Sequence, residues 1–385
     1  MIKQIYLIIV YINMTTPTIS NFNESKNTLT FTLENVNVSV ANALRRIIVS
    51  NIPTFAFKTY PHEESNVVIH KNNTRLNNEI IKQRISCIPI HIKNHDIDYS
   101  NLECIIDKKN DTDTMVYVTT EDFQIKNTLT NKFLSREEVK KIFPSNKTTK
   151  NYILIARLRQ KFNDTNPGEH LHFTAKLSLE TAKTDGAFNV SHTCFYRNSV
   201  DPVLQNKEWS SFEKNLLVNS SEEKEDAKKN WYLHEGLRFT KPNSFDFTLE
   251  SVGVFTNKEL VLKACSIFQE KMKKIFESIQ NDGSLIQKSK TTMENSFDIT
   301  LKNEDYTIGK VIEYLLHDNY YKVDKKDTSK KLLNYVGFRK MHPHDDDSIV
   351  RIALTKPIER TGIIDMLYQC YMMSNTMFET MKTLF

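Results

Sequence analysis

Leu29, Phe31 and Leu33 alternate with Thr30 and Thr32, the period-two pattern of a strand with one buried face. Val40, Leu44, Ile47 and Ile48 then recur at helical spacing behind Ser39, which reads as an N-cap. Pro53 closes that helix, because it lacks the N–H the next turn would need. Arg45 and Arg46 fall off the apolar stripe. From 58 to 235 the pattern changes to short strand-like runs, among them NVVIH (66–70), LECII (102–106), TMVYVTT (114–120), YILIARLR (152–159) and HLHFTAKLSL (170–179). Within that span, 205–231 is dense in charge and reads as an exposed helix or a mobile insertion, its charges forming a solvated face. SFDFTLESVG (244–253) returns to strand patterning. A long helix should follow, with Leu260, Ala264, Phe268, Met272, Ile275, Phe276 and Ile279 on one stripe and Gly283 as its C-cap. Residues 281–293 are polar and without periodicity, a linker.

The end of the chain repeats its beginning. Shifted by 268 positions, FTLENVNVSVANALRRII (31–48) lies over ITLKNEDYTIGKVIEYLL (299–316) without a gap. Leu33 meets Leu301, Asn35 meets Asn303, Ser39 meets Thr307, Val40 meets Ile308, Leu44 meets Ile312, Ile47 meets Leu315 and Ile48 meets Leu316. The arginines do not repeat, since Arg45 and Arg46 face Glu313 and Tyr314. A second long helix is marked by Ile363, Leu367, Cys370, Tyr371, Met377, Phe378 and Met381. Each half thus runs strand, short helix, further strands, long helix, and the first half carries a large insertion. Two related α+β units follow, which bury their apolar helical faces against each other like a dimer in one chain.

Composition narrows the function classes. Across 385 residues, 52 basic and 47 acidic side chains leave a net charge of only +5, short of the one-sided excess of a dedicated nucleic-acid binder. The five cysteines stand far apart with no Cys-x-x-Cys pair, which argues against a cysteine zinc site and fits a reducing compartment. MIKQIYLIIVYIN (1–13) is too short to span a bilayer and has no small-residue cleavage site, so it reads as a tail or the product of an upstream start codon. No Gly-rich phosphate loop, nucleophile elbow or Asp-x-Asp-x-Asp triad is present, and DTDT (111–114) reads as a polar turn. HPHDDD (342–347) offers His342, His344 and Asp345 to Asp347, but in a turn between strands these diverge, and a polar hairpin loop is favoured over a metal site. His170, His172 and His192 lack ligand spacing.

SVANALRRIIVSNIPTFAF (39–57), IIKQRISCIPI (80–90), LIARLRQ (154–160) and FDFTLESVG (245–253) resemble the larger α-like subunit of multisubunit RNA polymerases: the third subunit of eukaryotic polymerase II, archaeal D and the bacterial α N-terminal domain. FDITLKNEDYTIGKVIEYLL (297–316) with YVGFRKMHPHDDDSIVRIAL (335–354) is similar to the smaller partner, the eleventh subunit of polymerase II or archaeal L. Both partners in one chain resemble a fused form expected of a large DNA virus.

The resemblance implies an α+β fold of two α-N-terminal-domain-like dimerisation modules, each a sheet plus two helices, forming an intramolecular heterodimer with a mostly β insert in the first. It sets an extended or disordered tail at 1–27, a larger-subunit-like domain at 28–57 plus 236–280, the insert at 58–235, a linker at 281–294 and a smaller-subunit-like domain at 295–385. It implies a non-catalytic assembly platform that docks the two largest polymerase subunits, along with small ones, through Asn42, Arg45, Arg46, Pro53 and Arg84. Pairing of the halves is assigned to Val40, Leu44, Ile47, Ile48, Phe268, Met272, Ile308, Ile312, Leu316, Ile363, Leu367 and Tyr371. No catalytic residue, metal, cofactor, small-molecule substrate or membrane contact is expected, and DNA is met only through the holoenzyme. The setting is intracellular: virion and host cytoplasm if viral, otherwise nucleus. The competing reading is a free nucleic-acid-binding transcription factor that uses the basic helix around Arg45 and Arg46. Three departures from the family stand out. Asn51 replaces an acidic residue before Ile-Pro. Tyr306, Thr307, Ile308, Gly309 and Lys310 replace His-Thr-Leu-Gly-Asn. The insert also lacks the cysteines that hold zinc or an iron–sulfur cluster in some relatives.

Overall fold

The Leu29/Phe31/Leu33 alternation spans a strand, Thr28–Glu34, in the computed structural model, which describes residues 16–95, 99–163, 167–216, 220–322 and 331–385. The chain divides into two compact units. One holds the residues up to Ile48, Thr193–Glu250 and Val261–Phe385; the other holds Val49–His192 and Ser251–Leu260.

In the first unit a four-stranded sheet has the order Thr18–Ser25, Thr28–Glu34, Thr240–Ser251, Ser191–Val200. Leu29, Phe31 and Leu33 face Leu249, Phe247 and Phe245 in register, and all six are buried. The Phe31 and Phe247 rings stack at 5.0 Å. The short helix Val38–Ser50 follows and buries Val40, Leu44, Ile47 and Ile48. It ends three residues before Pro53. A second four-stranded sheet of this unit has the order Ile286–Lys288, Ser296–Leu301, Ser348–Leu354, Leu333–Arg339, with every pairing antiparallel. Its short helix is Tyr306–Leu316. The 268-residue offset carries the starts of Thr28–Glu34 and Val38–Ser50 onto the starts of Ser296–Leu301 and Tyr306–Leu316. Long helices Asn257–Asn281, from Val261 onward, and Arg360–Thr383 complete the unit.

The second unit holds a five-stranded sheet ordered Val67–Asn72, His170–Lys176, Leu102–Lys109, Gln124–Asn127, Lys132–Phe133. Two ribbons accompany it, Thr54–Ala56 with Ser178–Glu180 and Val116–Thr119 with Leu154–Leu158. Helix Asn78–Ser86 contributes Ile81 and Ile85 to a core shared with Phe57, Ile106, Phe123 and Phe173. Burial of each such side chain is worth roughly 1.5–3 kcal/mol before entropy.

Several expected boundaries move. The insert is read as 58–235, whereas the second compact unit holds Val49–His192 together with Ser251–Leu260, and Ser191–Val200 forms an edge strand of the sheet that contains Thr28–Glu34. The stretch 205–231, read as an exposed helix or a mobile insertion, falls mostly within two helices, Pro202–Glu213 and Ser221–Leu233, on either side of 217–219, which lie outside the described residues. Buried Trp209 and Trp231 meet at 5.5 Å and hold the two together, so two tryptophans outweigh the surrounding charge. Of the tail at 1–27, residues Thr18–Ser25 form a hairpin with Thr28–Glu34, turning through Lys26 at φ 57°. That strand is exposed almost throughout, so it carries no alternation signal; backbone pairing holds it, together with the Asn21 amide donating to Thr32 Oγ1 at 3.2 Å and Phe22 edge-on to Phe385. The stretch 1–13 lies outside the described residues.

The 281–294 stretch is not a free tether either. Ile286–Lys288 pairs along Ser296–Leu301, and Leu285 and Ile286 are buried; one apolar pair is too short to show a period. Gly283 opens a short 3-10 turn instead of capping the long helix.

Candidate protein-docking site

The short helix of the first repeat begins under Asn37, whose Oδ1 accepts the Ser39 N–H at 2.9 Å. Ser39, read as the cap, is thus already inside the helix. The second repeat uses the same device: Asp305, 268 positions after Asn37, accepts the Thr307 N–H at 2.8 Å. A side-chain acceptor at this place satisfies one of the helix's orphan N–H groups, which is why both sequences carry Asn or Asp there.

Arg45 and Arg46 are neighbours in sequence but not in use. The Arg45 Nε and Nη2 both donate to Asn42 Oδ1, at 3.1 and 2.9 Å. This half-buried pair stands beside Cys194 and Tyr196. Burial pushes the Cys194 thiol up to about 12 against the opposing pull of Arg45. Arg46 points elsewhere: its Nε donates to Thr307 Oγ1 and its Nη2 to Asp305 Oδ2, both at 2.8 Å. Burial opposes ionisation of Asp305, yet the Thr307 hydrogen bonds and the Arg46 charge outweigh it and hold the carboxyl below its usual range. Of the other expected docking residues, Pro53 is half-buried and Arg84 exposed, both in the second unit, and Arg84 Nη2 donates to the Leu154 carbonyl at 2.8 Å.

The residues expected to pair the halves lie in the first unit, and all are buried except half-buried Tyr371. The two long helices meet antiparallel. Phe268 stacks on Phe378 with centroids 3.8 Å apart, and Phe276 on Tyr371 at 5.6 Å. Gln269 Nε2 donates to the Asn375 carbonyl and to Glu379, at 3.1 and 3.0 Å. Phe385 reaches the first sheet, edge-on to Phe31 at 4.9 Å. Lys271 on the first long helix pairs with Glu304 at 2.8 Å. Lys271, Glu304 and Asp305 escaped the reading of the sequence. The register of the repeat could have found Asp305, since it falls opposite a cap, but nothing in local pattern points to Lys271.

HPHDDD closes the hairpin between Leu333–Arg339 and Ser348–Leu354. His342 N–H donates to Asp345 within the loop, and Asp347 accepts the Asn303 N–H at 2.8 Å from the neighbouring strand-to-helix turn, so these carboxylates serve backbone N–H groups. Asn110 organises the turn at 111–114, accepting the Thr112 N–H. Among the described residues no group of three or more His, Cys, Asp or Glu side chains could hold a metal ion. No helix among them is long and apolar enough to cross a membrane.

Comparison with known proteins places residues 30–272 in a described family, the RNA polymerase Rpb3/Rpb11 dimerisation domain, and the chain belongs to that family. The second repeat, from 295 on, lies beyond the matched stretch. Among relatives, the DNA-directed RNA polymerases IV and V subunit 3B of Arabidopsis thaliana is 25% identical over 63% of this chain and 85% of its own length. The conjugation stage-specific protein of Tetrahymena thermophila is 25% identical over 69% of this chain and 96% of its own. DNA-directed RNA polymerase subunit Rpo3 of Pyrococcus horikoshii is 39% identical over 67 residues, 17% of this chain and 23% of that protein.

Proposed function

We propose that this chain is a non-catalytic assembly subunit of a multisubunit DNA-dependent RNA polymerase, carrying a larger and a smaller α-like dimerisation module fused in one polypeptide. In this reading the repeats pair within the chain and the outward face of the first short helix, with Asn42 and Arg45, docks a large catalytic subunit. Pro53 and Arg84, in the second unit, are docking residues in the same reading. A large DNA virus is the expected source, with transcription in virion and host cytoplasm; a nuclear polymerase is the alternative setting.

The observation that carries this reading is the contact of the two long helices, Phe268 on Phe378, in a chain whose first part belongs to a polymerase dimerisation family. An arginine fork suits protein docking, because it makes paired hydrogen bonds to carboxylates and carbonyls. Use of Arg46 as a DNA contact is disfavoured by its engagement with Asp305 and Thr307.

Purification of the tagged chain from its native source, with identification of what accompanies it, tests the proposal. Two large polymerase subunits should co-purify, and Arg45→Glu should reduce their recovery while the variant keeps its unfolding midpoint. Recovery without large subunits, together with steeply salt-dependent binding of duplex DNA by the chain alone, would replace the reading with that of a free DNA-binding factor.

A further inference from the structure

Among the described residues, two ion pairs join the helices of the first repeat to the Glu304–Asp305 turn of the second, and they have the same polarity. Arg46 on the first short helix meets Asp305, and Lys271 on the first long helix meets Glu304, each at 2.8 Å. The first repeat supplies both cations and the second both acids. None of the four is fully solvated: the side chains of Arg46, Asp305, Lys271 and Glu304 keep 33%, 25%, 24% and 12% of their exposure.

The 268-residue register tells what these groups would meet in a wrong pairing. Val36, Asn37 and Ser39 stand in the first repeat where Glu304, Asp305 and Thr307 stand in the second. Val36 is buried, and Asn37 already caps its own helix. Tyr314 stands in the second repeat where Arg46 stands in the first. Were the first repeat to meet the first repeat of another copy, Arg46 and Lys271 would face Val36 and Asn37 with no carboxylate to receive them. Were the second repeat to meet another second repeat, Asp305 would face a tyrosine. An exposed pair contributes little by itself, but a half-buried charge left alone is costly, so such pairs act mainly by excluding wrong partners.

We propose that Arg46–Asp305 and Lys271–Glu304 form a pairing code, by which the first repeat accepts the second repeat of this chain and rejects a further copy of itself. The inference rests on the reading of the repeats as pairing partners. Asp305 suits the role doubly, because Oδ1 caps Thr307 while Oδ2 receives Arg46. Substituting Asn at 305 therefore keeps an acceptor for the cap and removes the charge.

The test uses the full chain, with mass from light scattering across micromolar concentrations and the thermal unfolding midpoint as readouts. Reversal of both cations, R46E with K271E, should lower the midpoint by about 5 °C and make the mass rise with concentration. Adding E304K and D305N should return a concentration-independent monomer mass and most of the midpoint, which a merely misfolded variant would not do. A reversal that leaves mass and midpoint as in the unaltered chain, or a four-residue variant with no recovery, overturns the code. A separate cut of the unaltered chain at the exposed 290–292 loop distinguishes the underlying reading. Fragments that part on gel filtration defeat the pairing of the repeats; fragments that stay together while the charge variants show no coupling defeat the code alone.

Discussion

Asn35 and Asn303 share a left-handed backbone conformation, φ 63° and 56°, at positions 268 residues apart in the two repeats. Each sits between a strand and its short helix, where the chain must turn sharply before the capping residue two places on. The repeat is thus conformational as well as compositional. Left-handed geometry costs a β-carbon residue roughly 1–2 kcal/mol, which Asn reduces by local hydrogen bonding and Gly avoids. Asn303→Ala should therefore lose about 1 kcal/mol in chemical denaturation, whereas Asn303→Gly should stay near the parent. Equal behaviour of the two variants would show that the turn carries no such strain.

The long-helix contact gives a second expectation. Phe268 and Phe378 are both fully buried and stacked, so Phe378→Ala opens a large cavity between the helices. The loss should be about 3–5 kcal/mol, read as a lower midpoint in denaturant. Leu44→Asp should be worse, preventing folding, because the site offers a carboxylate nothing but apolar neighbours on its stripe. A normal melting profile for Leu44→Asp would contradict the burial of that stripe.

Gly309 marks a close approach. A Cβ there would lie 2.0 Å from the Phe338 ring, which also packs edge-on to Tyr306 at 5.0 Å. Gly309→Ala should cost about 1–3 kcal/mol through overpacking, although alanine favours helix. Phe338→Leu in the same chain should recover part of the loss. A stabilised Gly309→Ala would mean that Phe338 moves aside without penalty.

Acid sensitivity follows from Asp298. Two hydrogen bonds from Arg351, at 2.6 and 2.7 Å, hold its carboxyl below the ordinary range, against the effect of burial. A folded-state pKa lower than the unfolded one makes the charged pair stabilising above the unfolded value, near ~3.9. That contribution is lost as pH falls through the folded value. The unfolding midpoint should thus be flat near neutrality and decline below about pH 4. Asp298→Asn should lower the neutral midpoint and make the acid decline shallower; an unchanged slope would assign acid loss to other carboxylates.

The elements were legible wherever burial imposes a period. The strand runs at 66–70, 102–106, 114–120, 152–159 and 170–179 all contain strands, and both short helices begin where the repeat aligns them. Thr18–Ser25 and Ile286–Lys288, each at the edge of its sheet, left no trace in the pattern, because edge strands need no alternating side chains. The extent of the insert was also illegible. Ser191–Val200 reads like any other strand, and only sheet order assigns it to the first unit.

By itself the sequence determined the duplication, the apolar stripes and the side-by-side arginines, since periodicity and residue type are local properties. Only the tertiary structure decided that Arg45 turns to Asn42 three residues away while Arg46 reaches Asp305 across 259 residues. Adjacent helical positions point about 100° apart, so neighbours in the chain face different surroundings. Which surroundings those are depends on contacts that no local pattern encodes.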